Sequence, residues 1–181
     1  MKKLLIGLAV VFVLGMMIVS DYNSLVSSEE GVRGQWSQVE TQLQRRADLI
    51  PNLVETVKAY AAQEQEIFTA LAEARAKLAG ANGVEETQEA NAEVTDAIGR
   101  LLVIVENYPE LKSNVNFLAL QDELAGTENR IATARRDYNL AIENFNTRVR
   151  SFPTALFANL FGFKTQPYFE TDDSDVPNVN F

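Results

Sequence analysis

The chain of 181 residues has neither cysteine nor histidine, and 25 acidic against 16 basic side chains give it a formal charge of −9. Disulfides, thiolate metal sites and cysteine nucleophiles are excluded, as are histidine bases, Ser-His-Asp arrangements and most zinc or iron sites. The acidic balance argues against nucleic acid, whose phosphates need clustered Lys and Arg. A binding, scaffolding or membrane role remains, and any chemistry would rest on carboxylates, Ser, Lys or Tyr.

After Lys2 and Lys3 the chain runs from Leu4 to Val19 without a charged residue. Sixteen helical residues reach about 24 Å, slightly short of a hydrocarbon core of roughly 30 Å, and interfacial residues such as Tyr22 accommodate the difference. The alternative is a cleaved signal peptide, but Ile18, Val19 and Ser20 form a poor cleavage site and no cysteine permits lipoprotein processing. Residues 1–20 therefore read as a retained anchor whose partner is the lipid bilayer through Leu4 to Val19. The charge divides as +2 in residues 1–20 against −11 beyond them. By the positive-inside rule the N-terminus is cytoplasmic and the remainder lies on the periplasmic or extracytoplasmic side of a bacterial inner membrane.

From residue 21 to 152 the apolar residues step by three and four, as in helices of coiled-coil-like bundles. The first stretch holds Tyr22, Leu25, Val32, Trp36, Val39 and Leu43. The second holds Ile50, Leu53, Val57, Tyr60, Ile67, Leu71, Ala74 and Leu78. A third runs from Val94 to Tyr108, and a fourth follows from Phe117 to Phe145. Asp48 is placed to cap the second helix with Pro51 in its first turn, so a hairpin turn is expected at residues 47–49. Gly80-Ala81-Asn82-Gly83 ends that helix, Pro109 stops the third, and Ser113 or Asn114 caps the fourth. The run from Arg100 to Val105 is rich in β-branched residues and leaves strand open as a rival to helix. The expected fold is all-α, an antiparallel four-helix bundle with long first and fourth helices. The fourth helix overhangs the bundle and points towards the membrane end.

Seven of the ten phenylalanines lie from Phe145 onward. A short aromatic-rich helix is expected over residues 153–164, and an acidic flexible tail over 165–181. Three roles stay open for Phe152 to Phe163: lying in the membrane interface, closing the end of the core, or meeting a second copy.

Glu29 and Glu64 fall on otherwise apolar stripes. With a turn at 47–49, Glu64 comes level with Val32, one helical turn from Glu29, and the pair would recruit Arg45, Arg46 or Arg130. A core polar cluster or a solvated stripe edge is the plainer reading. Glu106 beside Tyr108-Pro109 is placed to bond the turn or the next helix. Asn129, Asn139, Asn144 and Asn146 on the fourth helix suggest side-chain bonds across the bundle. No phosphate loop, nucleophile elbow or calcium loop is present, so no catalytic residue, cofactor or metal is assigned. Gly7 and Gly15 share a face of the anchor and hint weakly at packing between anchors.

Four stretches carry a resemblance: DYNSLV at 21–26, WSQVETQLQRRADLIPNLVETVKAYAAQE at 36–64, ENYPELKSNVNFLALQDELAGTENRIATARRDYN at 106–139, and the closing VPNVNF. With these the chain resembles the LemA family along essentially its whole length. The resemblance implies an anchored helical envelope domain with relatives among magnetosome membrane proteins, and no established enzymatic activity. The family commonly has a histidine before the glutamate that ends the second motif, where this chain has Gln63 before Glu64. The expected function is a non-enzymatic envelope scaffold, self-associating as a homo-oligomer or binding another envelope protein. A membrane-organising role is the alternative, and an envelope hydrolase using Glu29 or Glu64 is the weakest.

Overall fold

The computed structural model describes residues 2–170, excepting the side chains of Val10 and Leu14. Among them there is no strand. The elements are α1 (Lys2–Lys58), α2 (Gln65–Gly80), α3 (Gly83–Val105), α4 (Pro109–Lys112), α5 (Val115–Arg150) and α6 (Ala155–Ala158). The chain divides into two units. One takes residues 2–38 and 136–167, and the other takes 39–135 and 168–170.

The largest departure from the expected course is at residues 47–49, where no hairpin turn forms. Asp48 and Pro51 both lie inside α1, which continues to Lys58. Leu43, Ala47, Ile50, Leu53 and Val57 are all buried, so the apolar stripe crosses the expected turn unbroken. Continuous burial of that stripe offsets the roughly 3 kcal/mol an interior proline costs a helix. The break comes at residues 59–64, where Tyr60 and Ala61 both donate their N–H to the Val57 carbonyl at 3.0 Å. The second expected helix is thus shared between the end of α1 and α2.

Within the second unit α2 and α3 pack directly on each other. Ile67, Leu71, Ala74 and Leu78 of α2 and Ala90, Val94, Ala97, Leu101 and Val105 of α3 are buried. Arg100 to Val105 is helical, which settles the strand alternative. Between the two helices Gly83 takes φ +79, a left-handed conformation that glycine adopts without Cβ strain. The Asn82 N–H donates to Glu86 Oε2 at 2.9 Å, which satisfies one free backbone donor at the start of α3. Asn114 Oδ1 accepts from the N–H of Asn116 at 2.9 Å and Phe117 at 3.1 Å, capping α5 as expected.

Within the first unit α1 runs unbroken from Lys2 through the apolar segment to Gln38. Leu25 and Val32 of α1 are buried, as are Tyr138, Ile142, Phe145 and Val149 of α5. Arg148 donates a hydrogen bond to Ser24 Oγ, so the last turns of α5 lie beside α1 just past its apolar segment. In place of one helix over 153–164 there is the single turn α6. It closes by bonds from Gly162 N–H to the Asn159 carbonyl at 3.2 Å and from Phe163 N–H to the Ala158 carbonyl at 3.0 Å. This double closure needs a left-handed residue, and Gly162 at φ +87 supplies it.

Candidate functional site

The first candidate region is the N-terminal part of α1. It is the one helix among the described residues long and apolar enough to cross a membrane. From Leu4 to Val19 no described side chain is covered by protein. Water is a poor solvent for such a run, at roughly 25 cal/mol for each Å² of apolar surface. Just past the C-terminal end of this segment Tyr22 meets Phe161 edge-on at 5.3 Å between ring centroids and Phe163 at 5.6 Å. About four turns further along α1, Trp36 packs on Tyr138 at 5.2 Å.

The chain beyond α6 is tied down at defined points. The Asn146 side chain donates to the Gln166 carbonyl at 2.9 Å and accepts from its N–H at 2.8 Å. Tyr138 Oη donates to the Pro167 carbonyl at 3.2 Å, and burial raises the Tyr138 phenol above its ordinary value. In the second unit Phe169 is buried with the Arg135 guanidinium 4.9 Å from its ring centre, and Glu170 N–H donates to Gln88 Oε1. Residues 165–170, expected as the start of an acidic flexible tail, are therefore held, while 171–181 lie outside the described residues.

The second region is a buried polar centre in the second unit. Arg46 is 5 % exposed, donates to Asn91 Oδ1 of α3 at 2.9 Å and faces Glu128 of α5 at 3.3 Å. Burial lowers its guanidinium below the ordinary value, Glu128 opposes that shift, and Arg135 adds to it. A third cluster lies beside the break at 59–64. Tyr108 Oη donates to Glu64 Oε1 at 3.0 Å and accepts from the Gln63 amide at 2.7 Å. The Asn114 amide donates to Tyr60 Oη at 3.0 Å. Burial and the Glu64 hydrogen bond together raise the Tyr108 phenol.

The five residues singled out from sequence do not form one site. Glu29 lies in the first unit and Glu64 in the second. The fold-back that would have paired them required the missing turn at 47–49. Both are half-buried, and Glu64 has the Tyr108 phenol as its partner. Arg46 is the buried arginine, Arg45 bridges to Glu123 at the surface, and Arg130 is exposed. Glu106 pairs with Lys112. Of the asparagines on α5, Asn144 bonds its own helix at Leu140, whereas Asn146 ties a separate segment. Among the described residues no three acidic side chains converge as metal ligands.

A known family's profile matches residues 35–181, a span that includes Arg46, the Tyr108-Pro109 corner and most of α5. The chain belongs to the LemA family. It is similar to the magnetosome protein MamQ 2 of Paramagnetospirillum magneticum, 29 % identical over 185 residues that cover 87 % of this chain and 68 % of that protein. It is 28 % identical, with the same coverage, to the magnetosome protein MamQ of Magnetospirillum gryphiswaldense. It is also 22 % identical to the protein LemA of Metamycoplasma hominis, over 87 % of this chain and 73 % of that one.

In this LemA chain the Gln63 amide donates to the Tyr108 hydroxyl at 2.7 Å. Asn91 was not foreseen as a site residue. Its signal was available, since a polar residue lies between Thr87 and Val94 on the buried stripe of α3.

Proposed function

We propose that this LemA protein is a non-enzymatic, membrane-anchored helical scaffold of the bacterial envelope, self-associating or holding another envelope protein. The observation that carries this reading is the unbroken passage of α1 from an uncovered apolar segment into the buried core of the first unit. An anchor joined to its cargo by continuous helix fixes position and orientation, which a flexible linker does not. In the second unit the proposed arrangement is an antiparallel four-helix bundle of the α1 end, α2, α3 and the α5 start. Reversed pairings support it: Lys77 with Glu93 and Glu66 with Arg100, Arg45 with Glu123 and Tyr60 with Asn114. The proposed site of action is the inner membrane, with a cytoplasmic N-terminus and the folded part outside.

Extraction of the full chain in lipid-containing polymer discs, followed by light scattering, tests the scaffold reading. Particles with several copies, or a stoichiometric envelope partner, are expected. A strictly monomeric chain with no partner overturns it. The similarity to magnetosome proteins favours a second reading, in which the protein shapes or clusters bilayer. That reading requires altered vesicle shape at high protein density, and unchanged liposomes end it.

A further inference from the structure

We infer that the turn around α6 is a second membrane attachment, in which Phe152, Leu156 and Leu160 enter the boundary between lipid headgroups and acyl chains beside the α1 span. This rests on the reading of residues 4–19 as membrane-inserted. Three observations within the first unit carry it.

The first is position. Tyr22 lies three residues past Val19, about 4.5 Å along a helix, and headgroup regions are roughly 5–8 Å deep on each side of the hydrocarbon. The ring contacts of Tyr22 with Phe161 and Phe163 bring the α6 turn to that depth.

The second is exposure. Phe152 is 82 % exposed, Leu156 74 % and Leu160 82 %, while Ala158 and Phe163 of the same turn are buried. Leu156 lies within α6, and Phe152 and Leu160 flank that turn before and after it in the chain. The turn thus uses one set of apolar residues to grip the unit and presents another outward. That division separates it from a segment that merely closes the core.

The third is charge. In a chain of net charge −9, the stretch from Asn144 to Phe169 contains Arg148, Arg150 and Lys164 and no acid. Only Asp21 supplies an acid to α1 between Leu4 and Ser28. Amphipathic elements at lipid surfaces pair apolar insertion with Lys and Arg at the headgroups. The overall acidity of the protein conceals a basic, aromatic collar at the end of the span. A bilayer fits this collar on both counts, and it is already fixed at that height by α1.

The absence of cysteine makes single-cysteine probes clean. Phe152→Cys, Leu156→Cys and Leu160→Cys change exposed side chains, so the fold is preserved. Each is spin-labelled in the full chain, reconstituted in vesicles of phosphatidylcholine and phosphatidylglycerol. Accessibility to oxygen and to a water-soluble nickel chelate is then read. Val11→Cys reports the span, and Val103→Cys, 70 % exposed on α3, reports water. The expected result is that labels at 156 and 160 gain oxygen accessibility and become severalfold less accessible to nickel than the label at 103. Nickel accessibility equal to that at 103, with 11 protected, overturns the second attachment and leaves the anchor standing. Protection from both reagents with dipolar broadening assigns the patch to a second copy and also overturns it. A nickel-accessible label at 11 overturns the anchor and this attachment together.

Discussion

Arg46 and Asn91 form a buried hydrogen bond of 2.9 Å between α1 and α3, and a Glu128 carboxylate oxygen of α5 lies 3.3 Å from the same guanidinium nitrogen. Three helices of the second unit thereby share one cation. Replacing Arg46 by Met leaves Asn91 Oδ1 buried without its donor, which costs about 2 kcal/mol. A thermal melt followed by circular dichroism should fall by roughly 4–8 °C. Adding Asn91→Leu removes the orphaned group, so the double variant should recover part of the loss rather than sum the two. A double variant as unstable as the sum of the singles would show that the two side chains act independently.

Pro51 distinguishes the observed continuous α1 from a helix that begins at Asp48. Inside a helix the proline ring removes one backbone hydrogen bond and crowds the preceding turn. Pro51→Ala should therefore stabilise the protein, by about 1–3 kcal/mol, and Pro51 is exposed, so no packing is lost. Asp48 accepts from Gln44 one turn earlier at 2.9 Å and caps nothing. Asp48→Ala should cost under about 0.5 kcal/mol, against about 1 kcal/mol for a true cap. Denaturation midpoints of the two variants check both figures.

The contrast at Pro51 shows which features were legible in sequence. The stripe through Val94, Ile98, Leu101 and Val105 was readable because three-four spacing is a local property of one helix. The Asn114 cap was readable for the same reason, since donor and acceptor lie within three residues. Asp48 and Pro51 carried equally good local signals for a helix start. They were overruled by burial of Ala47, Ile50 and Leu53, which depends on neighbours remote in the chain. The return of Phe163 to Tyr22 had no local sign beyond Gly162. The pairing of Glu29 with Glu64 failed because it inherited the misplaced turn.

Tyr138 and Tyr108 make stability sensitive to alkali. Burial raises the Tyr138 phenol above its ordinary 10.0, and burial with the Glu64 bond raises Tyr108 in the same direction. A raised value means that the folded state holds its proton more tightly. The contribution is complete below pH 10 and is lost as pH climbs through the folded-state values. Melting temperature should hold steady from neutral pH to about pH 9 and then decline. Tyr138→Phe should flatten that decline, at the expense of the Pro167 bond. Tyrosinate absorbance in the folded protein should lag behind that of the unfolded chain over the same range.

Asn146 holds Gln166 by two hydrogen bonds, one to its carbonyl and one from its N–H. An amide matches a peptide group in both roles, and no other side chain of that length but aspartate comes close in shape. Asn146→Asp keeps the acceptor for the Gln166 N–H but sets a carboxylate oxygen against the Gln166 carbonyl, where two acceptors repel. The bond lost and the repulsion gained amount to about 1–3 kcal/mol. The consequence is local, because α5 retains Phe145 and Val149 in the core. Lys164 lies two residues before Gln166, so loosening that segment should expose the Lys164–Thr165 bond to trypsin. Cleavage there should be severalfold faster than in the parent, while overall melting falls only slightly. Equal cleavage rates would mean that the Tyr138 bond to Pro167 suffices to hold the segment, and the double variant with Tyr138→Phe would then be needed to release it.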